Sequence, residues 1–107
     1  MPENKNALTE VVYYILLSLY TPLHGYGIMQ NVKEISGGRV DLGPGTLYGA
    51  INTMLAKGWI APMEGEKDSR KKEYQITDAG RHIVKSEIIR LEELVANGKK
   101  IAGESAR

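Results

Sequence analysis

The stretch from Gly43 to Gly58, GPGTLYGAINTMLAKG, constrains this chain more than any other. Leu47, Ile51, Met54 and Leu55 recur at helical spacing and make one apolar stripe. The opposite side carries Gly45, Thr46, Tyr48, Gly49, Asn52 and Thr53. A solvated helix face is ordinarily rich in Glu, Lys and Arg. It also avoids glycine, which costs about 1 kcal/mol against alanine inside a helix. Here the face has little bulk, almost no charge and several hydrogen-bonding groups. Two readings fit. One is a core helix with a loose N-terminal turn. The other is a helix whose Gly45 and Gly49 let a partner approach the backbone, with Thr46, Tyr48 and Asn52 touching it. The candidate partner is the major groove of DNA, which admits one helix. The rest of the chain decides between them.

With 107 residues, 42% hydrophobic and 25% charged, the chain has the makings of one globular domain with one core. It contains no cysteine, which excludes disulfides and thiolate metal sites. The opening MPENKNALTE lacks the apolar run of a signal peptide, and Val11–Leu19 is too short to span a bilayer, which takes about 20 apolar residues. A cytoplasmic location is expected. Net charge is only +1, so any contact with nucleic acid must come from a local patch.

Residues 1–7 read as a frayed lead-in. TEVVYYILLSLY, from Thr9 to Tyr20, reads as a helix capped by Thr9 and apolar nearly all round, through Val11, Val12, Ile15, Leu16 and Leu19. Such a helix lies inside a core or at a subunit interface. Pro22 breaks it. A second helix is predicted from about His24 to Ile35 and stops at Gly37-Gly38. Arg39–Leu42 alternates and predicts a small strand, and Pro44 then opens the third helix. Two helices joined by a short connection, the second presenting small polar groups, make a helix-turn-helix arrangement.

After Gly58 the period changes. Trp59–Met63 and Glu73–Ile76 read as short strands around a polar loop, Glu64–Lys72, with Lys67, Arg70, Lys71 and Lys72 against Glu66 and Asp68. A basic hairpin directly behind a groove-reading helix is a wing. Each phosphate its charges neutralise steepens the salt dependence of binding by roughly 0.9 in log–log slope. A solvated hairpin tip is the alternative for this loop. Thr77 then caps a long helix from Asp78 to at least Ala96. Val84, Ile88, Leu91 and Val95 step along it by four, three and four, a coiled-coil type of seam. A second copy of the chain is its expected partner, gripped also by the first helix through Val12 and Ile15. Asn97-Gly98 is expected to end or loosen the helix, leaving 99–107 frayed.

Nothing supports catalysis or a cofactor. His24 and His82 are the only histidines, without cysteines to complete a metal site. Gly43-x-Gly45 lacks the Gly-Lys-Ser/Thr of a nucleotide loop. The serines have no evident base, and Glu92 and Glu93 read as solvated. His24 is expected to order the Pro22–Gly25 turn.

In order and spacing, His24-Gly25-Tyr26-Gly27-Ile28, Gly45-Thr46-Leu47-Tyr48, Gly58-Trp59-Ile60 and Arg70–Gly80 (RKKEYQITDAG) form a set that resembles the PadR family of bacterial transcriptional regulators. The likeness covers roughly residues 8–96. It implies a mainly α fold with a small β-hairpin, a winged helix-turn-helix over 8–76. It also implies a single dimerisation helix over 77–98 and a homodimer that represses genes at a pseudo-palindromic operator. DNA-contact roles carry over to Gly45, Thr46 and Tyr48 and to Arg70, Lys71 and Lys72, while Leu47 belongs to the core. Asn52 and Lys67 join that set from their own positions. The expected dimer contacts are Val12, Ile15, Val84, Ile88, Leu91 and Val95. Some relatives sense small aromatic compounds with a Trp in the last helix. That helix holds no aromatic residue here, so an effector pocket lined by Ile88, Leu91 and Val95 would be aliphatic. The competing class is a winged-helix module for protein–protein contact.

Overall fold

Thr9 starts the first helix: its side chain accepts the backbone N–H of Val12 at 3.1 Å, and Glu10 occupies the first turn. In the computed structural model, which describes residues 7–63 and 72–103, this helix, α1, spans Glu10–Ser18. Ile15, Leu16 and Leu19 are fully buried at the centre of the fold. Arg39 clasps Glu10 with two guanidinium–carboxylate hydrogen bonds, tying the start of α1 to the loop ahead of the third helix.

Pro22 follows the turn that ends α1. Leu23–His24 forms a short strand, β1, where a simple break was expected. α2 follows at Gly25–Ile35, and the Gly27 N–H donates to His24 Nδ1 at 3.0 Å. His24 is thus a helix cap, which is how it orders this turn. Arg39–Leu42 is not a strand. Ser36 Oγ accepts the Val40 N–H at 2.9 Å, and Leu42 is buried as a plug. The alternation seen in the sequence reflects loop anchoring. α3 spans Pro44–Ala56 and buries Leu47, Ile51 and Met54.

β2 (Ile60–Pro62) and β3 (Glu73–Ile76) pair antiparallel, Ile60 opposite Ile76 and Pro62 opposite Tyr74. β1 takes the other edge of β3, with Leu23 opposite Tyr74, so the sheet runs β1-β3-β2. The Ile76 N–H donates to Leu19 O at 2.9 Å and fastens the sheet to α1.

α4 spans Asp78–Ala102. The Thr77 side chain caps it, accepting the Gly80 N–H at 3.1 Å and donating to Gly58 O at 2.7 Å. Gly80 allows a close crossing, since a Cβ there would overlap the Trp59 carbonyl oxygen. The helix runs straight through Asn97-Gly98, against the expected end. One interior glycine costs about 1 kcal/mol, which does not stop a helix with a good finish. Lys99 and Lys100 occupy its last turn, and Gly103 closes it in the left-handed conformation at φ 76°. Among the described residues no helix is long and apolar enough to cross a membrane.

Candidate nucleic-acid interface

The two sides of α3 divide as their chemistry dictates. Leu47, Ile51 and Met54 are buried, while Gly45, Thr46, Gly49, Asn52 and Thr53 are exposed. Among the described residues nothing lies within 4 Å of where a Cβ would stand on Gly45 or Gly49. The side with small polar groups is therefore free, and the reading of α3 as an ordinary core helix does not apply to it.

Tyr48 is held differently. It is 42% exposed, and its phenol lies against α2, where a Cβ on Gly25 would overlap the Tyr48 hydroxyl. Gly25 is the glycine of the His-Gly-Tyr-Gly run, and this is the close approach it permits. Tyr48 thus fixes the first turn of α3 against the first turn of α2, with Tyr74 beside it. Burial, with Tyr48 nearby, pushes the Tyr74 hydroxyl above its ordinary value. Thr46 and Asn52 are exposed on the same helix.

Strands β2 and β3 place the hairpin next to α3. Trp59 N–H donates to Met54 O at 3.0 Å, and Thr77 N–H donates to Trp59 O at 3.0 Å. Lys72, just ahead of β3, is half-buried. Lys67, Arg70 and Lys71 lie outside the described residues.

The expected dimer contacts separate into two groups. Ile15 and Val84 are buried in the subunit's own core, 0% and 2% exposed, which corrects their placement at an interface. An apolar stripe looks the same in sequence whether its own subunit or another covers it. Val12 and Leu91 are half-buried, and Ile88 and Val95 are exposed. Ile88, Leu91 and Val95 line one groove of about 410 Å³ together with Tyr13 and Lys99. An aromatic ring from α1 therefore enters a surface expected to be aliphatic.

One buried charge went unread in the sequence. Glu87 is 3% exposed between α1 and α4. It accepts from Arg90 Nε at 2.9 Å and Nη2 at 2.6 Å, and from the Leu8 N–H at 3.3 Å. The Arg90 guanidinium holds its carboxyl below the ordinary value, against the opposing effect of burial. The available signal was its register, three residues after Val84 and four before Leu91, with Arg90 one turn on.

A helix-turn-helix whose second helix is held outward beside a two-stranded hairpin, closed by a third strand ahead of α2, is a winged helix-turn-helix. Within that class the family model of the PadR-like transcriptional regulators matches residues 14–86, and the chain belongs to that family, one of regulators and not of enzymes. Solved structures share the fold. A PadR family regulator from hypervirulent Clostridium difficile R20291 superposes with a TM-score of 0.72 at 22% identity, covering 88% of this chain and 99% of that one. A transcriptional regulator from Clostridium thermocellum gives 0.71 at 23%, covering 86% and 88%. The chain is also 41% identical over 66 residues to an uncharacterized 37.1 kDa protein in transposon TN4556 of Streptomyces fradiae. That match takes in 62% of this chain and 18% of the length of that protein.

Proposed function

We propose that the chain is a DNA-binding repressor that acts as a homodimer at a pseudo-palindromic operator. The observation that carries this reading is the free face of α3, whose Thr46 and Asn52 stand outward while Gly45 and Gly49 leave the backbone approachable. In the proposed complex α3 enters the major groove and Asn52 and Thr46 meet base edges or phosphates. Tyr48 sets the tilt of α3 and touches DNA with its exposed edge. Lys67, Arg70, Lys71 and Lys72 lie along the phosphates, the charge that a net charge of +1 cannot supply globally.

The dimer forms through the distal half of α4, with Val12 and Tyr13 of α1 contributing. Ile88 and Val95 are 38% and 54% exposed, and a run of branched apolar side chains facing water marks an association surface. Two copies then present two α3 helices to successive grooves. A small apolar effector seated by Tyr13, Ile88, Leu91 and Val95 would alter the spacing of those helices. It would do so only if it binds two spacings with different affinity.

The test is a gel shift of the purified protein on DNA from upstream of its own gene, at two salt concentrations. Salt-sensitive, sequence-preferring binding by a species of twice the chain mass is the expected result. A chain that pairs with itself yet ignores DNA would instead favour the protein-contact module.

A further inference from the structure

The first turns of α2 and α3 are locked together by the Tyr48 ring over Gly25. The next residue along α2 is Tyr26, 64% exposed, more so than Tyr20 or Tyr48. Its hydroxyl accepts a hydrogen bond from Gln30 Nε2 at 2.8 Å, one helical turn on. That bond orients the phenol and occupies its oxygen as an acceptor. The hydroxyl proton remains to be donated, so the group is set up to meet an acceptor from outside. Neither residue supports the core, since both are exposed on the side of α2 opposite buried Ile28 and Val32. Lys33, further along that side, is already taken up by Asp41 at 3.7 Å.

We infer that Tyr26, oriented by Gln30, is a DNA-contact residue that donates to a phosphate oxygen flanking the groove entered by α3. Two points favour phosphate over a base. Tyr26 sits on the supporting helix of the pair, one residue past the Gly25 that packs against Tyr48 of the outward helix, and its hydroxyl offers a single donor. The inference rests on the reading of α3 as the groove helix.

The experiment measures affinity for the upstream DNA and for an unrelated duplex of equal length, across a salt series. Tyr26→Phe keeps the ring and removes the donor. It should weaken binding to both duplexes equally, by roughly 2- to 10-fold per half-site, the worth of one hydrogen bond. The salt slope should not move, because a phenol displaces no counterion. Gln30→Ala should shift affinity in the same direction by less, and neither change should alter the unfolding midpoint. Parent-like binding of Tyr26→Phe to both duplexes would overturn the assignment. So would a loss confined to the upstream sequence, which would make Tyr26 a base reader. Asn52→Ala serves as the parallel arm. If it loses upstream preference while Tyr26→Phe binds normally, α3 stands and only Tyr26 falls. If the parent binds neither duplex, both fall.

Discussion

Among the described residues, two surfaces that the subunit's own packing leaves exposed are chemical opposites. The outward side of α3 offers glycine, threonine and asparagine, while the distal half of α4 offers Ile88, Leu94, Val95 and Ile101. Water hydrates the first at little cost. The second sacrifices roughly 25 cal/mol for each Å² left wet. A surface of the first kind suits a partner that is bound and released in exchange for water. One of the second kind suits a partner that stays. The largest expected effect follows from this contrast. Ile88→Glu combined with Val95→Glu should leave the subunit folded, because Val95 and much of Ile88 face outward, but should make it monomeric by sedimentation. Operator affinity should then fall by roughly 100-fold or more as the two half-sites cease to be bound together. Thr46→Glu on the other surface should abolish DNA binding while the dimer persists. If either substitution produced the other's result, the division of labour would be wrong.

Within α3 the contrast can be sharpened further. Asn52→Ala should cost about 1–3 kcal/mol on the operator if the amide reads a base, and almost nothing on unrelated DNA. Equal affinities of parent and variant would remove Asn52 from the interface. Gly49→Ala separates fold from function, since no atom of the described residues would meet the new methyl group. Inside a helix that change should stabilise the protein by up to about 1 kcal/mol, read as a higher melting temperature. Where DNA backs onto the same spot, operator affinity should drop. A rise in both would mean that nothing comes close to the α3 backbone.

Much of this arrangement is legible in the residues. Thr9 and Thr77 announce their helices because a hydroxyl ahead of a helix has one favourable use there, and the hydrogen bonds of both are present. The sidedness of α3 is legible because its period is unmistakable and its polar side is unusual. Three things are not. β1 is two residues long and exists only because β3 has a second edge to fill. α4 runs through Gly98 because a helix end is decided by its last turn as well as by its weakest residue. Ile15 and Val84 look like interface in sequence, yet lie in the core, because periodicity gives the direction of a stripe and not what covers it. The same ambiguity hid Glu87, a charge on the stripe that becomes tolerable once Arg90 and the Leu8 N–H surround it.

Glu87 also marks the border between the two kinds of surface. It is the last fully buried residue of α4 before the helix leaves the core, and it supplies the smallest of the expected effects. Its folded carboxyl is held below the ordinary value, first by hydrogen bonds from Arg90. A group depressed in this way binds its proton more readily when unfolded. Its contribution is therefore present above the ordinary carboxylate pKa of about 4.3 and is lost as pH falls through the depressed folded value. Arg90 is partly solvated, with 34% of its side chain exposed, so solvent screening keeps the pH-dependent part small. Glu87→Gln retains an acceptor for the Leu8 N–H and discards the charge. Near pH 7 it should melt a few degrees below the parent, and the gap should close as pH falls below about 4. Glu10, also depressed by its Arg39 partner, is common to both proteins and cancels in the difference. A gap constant across pH would mean that the Gln variant lacks shape complementarity and not charge, and that α4 leaves the core without an electrostatic anchor.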